Sequence, residues 1–233
     1  MLPCRSFRIV VILAVTTSWF GLGARGIEPV NEHVGGRFLA GSPGEKAHVS
    51  LFGVKAEGSK FVYVLDRSGS TEGKLLAAAK AEILASIGRI DDVHQFQLVV
   101  YNERPKAFNP AGPNSQLAFG TDANRAEVKK FLSTFAADGG TDHMAALSLA
   151  IRMRPDVIFL LTDGDKPIVT SQELARIDRI GPGIIIHTIQ FGQGPNRDAN
   201  GWMGKLARQS GGEYRYVDTT KLEAESKKGT TKE

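Results

Sequence analysis

The chain has 233 residues, 42% hydrophobic and 23% charged, a balance that suits one sizeable buried core and excludes a disordered chain. A formal charge of +4 and a pI near 9.2 would suit a nucleic-acid partner. However, Arg5, Arg8 and Arg25 lie in a segment expected to be removed, and the remaining basic residues form no phosphate-tracking cluster, so no nucleic-acid role is expected.

Residues 1–26 read as a targeting segment: Arg5 and Arg8, an apolar run from Ile9 to Phe20, then small residues around Ala24 and Gly26. A spanning helix needs about 20 apolar residues. The shorter run favours a cleaved export signal over an uncleaved N-terminal anchor. The chain is therefore expected outside the cytoplasm, in the periplasm, at the cell surface or extracellular, and it touches a membrane only if that segment stays. The single cysteine, Cys4, precedes the apolar run, which leaves the remainder without disulfide or thiol chemistry. Residues 27–58 form a Gly, Pro and polar arm, with "VSLFGV" at Val49 to Val54 a short edge strand.

From Ser59 the pattern changes to apolar strands alternating with segments of helical period. "FVYVL" is a strand with both faces apolar, and Leu75, Leu76, Ala79, Ile83 and Ile87 recur at helical spacing after it. "FQLVVY" is the next strand, and a loop from Glu103 to Gly120 holds a small edge strand at "KAF". One helix follows Asp122 with Val128, Phe131, Leu132 and Phe135 on one face. A second has Asp142 as N-cap and Met144, Leu147 and Ile151 inward. "DVIFLLTD" is a buried strand, "TSQE" (Thr170 to Glu173) a capping box opening a helix with Leu174, Ile177 and Ile180, and "GIIIHTI" another strand. A helix around Trp202 to Gln209 ends at Gly211 and Gly212, and "EYRYV" closes the sheet. Residues 59–218 are thus expected to form a doubly wound α/β domain with a mostly parallel sheet and helices on both faces, followed by a polar mobile tail at 219–233.

Ligands of open α/β sheets bind beyond the carboxyl ends of the strands. Three oxygen-rich loops are expected there: "DRSGS" with Asp66, Ser68 and Ser70, "GGTD" with Thr141 and Asp142, and "TDGD" with Asp163 and Asp165. Hydroxyls and carboxylates without histidine or cysteine suit a hard cation rather than zinc.

D-x-S-x-S after the first apolar strand, a later G-G-T, and L-L-T-D-G after a central strand resemble the von Willebrand factor type A domain with its metal-ion-dependent adhesion site. "IHTIQFG" and "KLARQSGGEYRYV" resemble that family's last strand, helix and strand. The resemblance implies Mg²⁺, or Mn²⁺, held by Asp66, Ser68, Ser70, Thr141 and Asp163. It also implies a protein partner whose Asp or Glu carboxylate completes the shell; Asp142, His143 and Asp165 flank the site as a candidate rim. Each motif also has a plainer reading: Asp66 and Ser68 as a turn leading to a helix, Asp142 as an N-cap, "TDGD" as a turn. His143 is most simply an exposed helix-start residue, His187 a satisfied core residue and Trp202 core.

A metal-dependent binding module, not an enzyme, is the leading expectation. A Mg²⁺-dependent hydrolase using Asp66 or Ser68 as nucleophile is the first alternative, disfavoured because no G-x-S-x-G elbow is present and no histidine is placed as a base. The second is a scaffold subunit of an envelope complex whose metal site is vestigial.

Overall fold

The computed structural model describes residues 44–110, 116–164, 166–196 and 200–221. The targeting segment, most of the arm and nearly all of the C-terminal tail lie outside the described residues.

The described chain begins with β1 (Ala47–Leu51) and β2 (Val54–Gly58), an antiparallel hairpin closed by Phe52 and Gly53. Both loop residues have positive φ, 48° and 83°, the geometry of a two-residue turn whose twist matches the flanking strands. The expected lone edge strand is therefore half of a separate two-stranded sheet. Its Val49, Leu51, Val54 and Ala56 are buried on the main domain.

The main sheet contains β3 (Lys60–Asp66), β4 (Gln95–Tyr101), β5 (Lys106–Ala107), β6 (Ala118–Phe119), β7 (Val157–Thr162), β8 (Ile185–Gly192) and β9 (Tyr214–Asp218). Its order is β5-β4-β3-β7-β8-β9, with β6 also on the outer side of β4. The long strands run parallel, and only the short β5 and β6 are antiparallel to their neighbour. The strand at "KAF" is β5; β6 has only two residues, within the short apolar stretch Leu117 to Phe119, too brief to show a strand period.

Helices α1 (Lys74–Ile87) and α2 (Asp122–Ser133) cover one face, and α3 (His143–Arg152), α4 (Ser171–Ile180) and α5 (Trp202–Gln209) cover the other. Strand alternation divides β3 between the two cores: Phe61, Tyr63 and Leu65 face the α1 side, Val62 and Val64 the α3 side. Each such side chain contributes about 1.5–3 kcal/mol when fully buried, which is why both faces must be apolar. Thr170 and Glu173 form the expected capping box at α4. Ile180 departs from expectation: it is the last residue of α4 and is 44% exposed. The doubly wound α/β architecture is present, with its switch point between β3 and β7.

Candidate functional site

Parallel register places the ends of β3 and β7 side by side. Leu65 pairs with Leu161, so the next residues, Asp66 and Thr162, meet across the switch point. Asp66 is 1% exposed and Thr162 fully buried. The Thr162 hydroxyl donates to Asp66 Oδ2 at 2.6 Å, and the Ser68 amide donates to Asp66 Oδ1 at 2.8 Å. Ser68 Oγ and Ser70 Oγ are 3.2 Å apart and share a hydrogen bond. The Thr71 hydroxyl closes the turn on the Ser68 carbonyl at 2.8 Å.

Burial pushes the Asp66 carboxyl up from its ordinary value, the Thr162 and Ser68 bonds pull it back, and the neighbouring Asp163 carboxylate raises it again. Thr162 Oγ1 also accepts from the Gly164 amide at 3.1 Å, which orients the "TDG" turn.

The "GGTD" loop is drawn to the same end by backbone bonds. The Gly69 amide donates to the Gly139 carbonyl, and the Asp142 amide to the Asn102 carbonyl. The Asn102 side chain donates to the Asp138 carbonyl at 3.1 Å. Gly139 has φ 73°, which favours glycine, and a Cβ there would stand 2.9 Å from Asn102 Nδ2 and displace that side chain. Asp142 caps α3 by accepting from the Ala145 amide at 2.9 Å. Thr141 is half-buried beside it.

His143 is not the exposed helix-start residue expected. It is 1% exposed, 2.8 Å from the Tyr101 hydroxyl through Nδ1, with its ring 4.8 Å from that of Trp202. Trp202 Nε1 in turn donates to the Gly164 carbonyl at 3.2 Å. Burial and then the nearby Asp66 carboxylate hold the Tyr101 phenol well above its ordinary value, so it stays neutral. Tyr101, His143 and Trp202 thus brace the ends of β4, α3 and α5 against the β7 loop. His187 is the satisfied core residue expected: its Nδ1 accepts from the Glu213 amide at 2.9 Å and its ring stacks on Phe159.

Asp66, Ser68, Ser70 and Asp163 therefore converge, with Thr141 and Asp142 on the adjoining loop. Asp165 lies outside the described residues. Sequence reasoning missed Thr162 and Asn102 as the residues that tie the loops together.

The expectation of a divalent-cation site is corrected. Among the described residues no group of three or more His, Cys, Asp or Glu side chains is gathered to hold a metal ion. Both oxygens of Asp66 already accept protein hydrogen bonds, and the Ser68 and Ser70 hydroxyls bond to each other. Without such a cluster, and with these oxygens engaged within the protein, the described donor set does not support Mg²⁺ or Mn²⁺, and with the ion goes the role of a partner carboxylate completing its shell. No helix among the described residues is long and apolar enough to cross a membrane.

Comparison with known proteins agrees with this topology. An uncharacterised protein of Synechocystis sp. is 26% identical over 164 residues, covering 66% of this chain and 36% of that protein. The chain thus spans about a third of the length of that curated relative. The structure of a von Willebrand factor type A protein from Catenulispora acidiphila superimposes with a TM-score of 0.60 at 23% identity, over 74% of this chain and 42% of that one. Proximal thread matrix protein 1 from the mussel byssus gives a TM-score of 0.52 at 19% identity, over 71% of this chain and 43% of that one. These likenesses show the fold. The profile of the von Willebrand factor type A domain matches residues 61–226, and the chain belongs to that family.

Proposed function

We propose that this chain is a scaffold module of an exported assembly, binding a protein partner across the rim formed by the "DRSGS", "GGTD" and "TDG" loops without a divalent cation. Membership of the family, whose domains are typically non-catalytic adhesion and assembly modules, supports a binding role over a catalytic one. The observation that carries the proposal is the commitment of both Asp66 oxygens to Thr162 and Ser68. The oxygen cluster holds the loops in one shape instead of presenting open coordination sites. A rim fixed in advance loses little conformational entropy when a partner docks, so more of the contact energy appears as affinity. Export rests on the residue 1–26 segment, and cleavage of that segment would release the module from the membrane.

The test is site-specific photo-crosslinking in the source cells, with the crosslinker at exposed Ser70 on the rim or at exposed Lys129 on α2. A protein adduct at Ser70, absent at Lys129 and unchanged by EDTA, is expected. An adduct that vanishes with EDTA, or none at Ser70, would overturn the proposal.

A further inference from the structure

The opposite end of the sheet, where β3, β7 and β8 begin and α3 and α4 end, carries a surface of different character. A groove of about 920 Å³ there is lined in part by Lys60, Arg154, Arg179 and Ile180. A smaller one of about 350 Å³ adjoins it across α3 and α4, sharing Arg154 and Ile180 and adding Arg152 and Arg176. Four exposed arginines thus line the same two concavities as Ile180, an isoleucine left 44% exposed.

None of the four arginines lies within ion-pair distance of a described acid, although Arg176 is near enough to Glu173 to help hold its carboxyl down and Arg179 Nε donates to the Ala175 carbonyl at 3.3 Å; the pairs among the described residues are His48–Glu57, His94–Asp91, Arg125–Asp122 and Lys130–Glu127. The two acids on the groove wall are engaged locally. Glu57 faces His48, and Asp156 Oδ2 accepts from the Ser59 and Lys60 amides at 2.7 and 3.0 Å. Arg152 and Arg179 lie in the last turns of α3 and α4, where a cation complements the helix dipole. That local role does not extend to Arg176, in the middle of α4, or to Arg154, beyond the end of α3.

Arg154 adds an independent observation. It follows the C-cap Met153 with φ 50°, the left-handed conformation that ordinarily takes glycine at the end of a helix because a Cβ is penalised there. The fold would be served as well or better by glycine. A strained residue whose side chain lines both concavities points to a use outside the fold.

We infer that this end of the domain is a second docking surface, for an acidic peptide segment of a protein partner. The carboxylates of that segment pair with Arg152, Arg154, Arg176 and Arg179, whose planar forks match carboxylate geometry, and an aliphatic side chain packs on Ile180. Charge complementarity selects an anionic occupant. The concave walls select an extended peptide over a flat lipid surface. The inference is independent of the rim, which lies at the other end of the strands.

The test is fluorescence anisotropy of the full chain with a labelled peptide of alternating glutamate and leucine, beside the same peptide with lysine for glutamate. Saturable binding of the glutamate peptide alone is expected. Arg154→Gly should weaken it about tenfold, as loss of one close charge partner does, while the melting temperature stays level or rises. Arg176→Glu with Arg179→Glu should weaken it further, and Ile180→Ser should weaken it without changing its salt dependence. Absence of saturable binding, or affinity indifferent to Arg154→Gly and to the charge reversal, would overturn the inference. So would arginine-dependent binding to phosphatidylserine vesicles with no binding of the peptide, which would make this a membrane-facing surface.

Discussion

Replacing Asp66 by alanine and by asparagine separates a hydrogen-bonded lock from a metal ligand. Alanine removes the acceptor for the Ser68 amide and for the Thr162 hydroxyl, both buried. An orphaned buried polar group costs about 1–3 kcal/mol. Thr162 Oγ1 keeps its bond from Gly164 and lies 3.5 Å from Asp163 Oδ1, so part of its loss is recovered. The expected net loss is about 2–4 kcal/mol, or about 5–15 °C in melting temperature for a domain of this size. Asparagine keeps an oxygen for the Ser68 amide and offers an amide to Thr162 Oγ1. It also removes a buried charge beside Asp163, and should change stability by less than about 1 kcal/mol. Urea unfolding of the two variants and the parent measures both differences. Equal stability of the alanine and asparagine variants would refute the hydrogen-bonded lock.

Acid should weaken the fold through His187, whose imidazole burial holds below its ordinary value of 6.5. The unfolded chain then takes up the proton first, so His187 has no destabilising effect well above pH 6.5, and stability falls as pH drops below it. Urea midpoints at pH 7.5 and 5.5 should converge in His187→Gln relative to the parent. His94 acts in the opposite sense. Burial lowers its imidazole, but the hydrogen bonds to Asp91 and the Glu45 carbonyl outweigh this and raise it. Its contribution is therefore full below pH 6.5 and lost as pH rises through the raised value, and His94→Gln should remove that loss. Gly212→Ala should destabilise by about 3 kcal/mol or more, because the new Cβ would meet the Ile186 carbonyl oxygen at 2.1 Å. At neighbouring Gly211 there is open space but φ is 76°, so alanine there should cost only about 1–2 kcal/mol; calorimetric melting distinguishes the two. Thr170→Ala removes the hydroxyl that accepts from the Glu173 amide and should cost about 1 kcal/mol in urea unfolding.

The long strands and five helices were legible in the sequence because each buries a repeating apolar stripe that periodicity exposes. The second hairpin strand was not: Val54, Ala56 and Gly58 do alternate inward with Lys55 and Glu57 outward, but two of the three inward residues are too small to register as apolar. Ile180 keeps helical spacing yet stays exposed at the end of α4, since spacing gives a direction around the helix and not what lies opposite. The oxygen-rich loops were placed at the correct end of the sheet, and Asp66, Ser68, Ser70 and Asp163 do meet. Their chemistry was misjudged because it depends on Thr162, whose position beside Asp66 follows from strand register. Similarly, His143 looks like a solvated helix start until Tyr101, at the end of β4, and Trp202, at the start of α5, close over it.

The central claim is that the Asp66 cluster locks the rim by hydrogen bonds and binds no cation. It is tested most directly by titrating the EDTA-stripped full chain with Mg²⁺ in a calorimeter, with Asp66→Asn as the folded control. The account predicts no saturable heat in either protein and no change of melting temperature with millimolar Mg²⁺. Saturable heat in the parent that disappears in Asp66→Asn would contradict it.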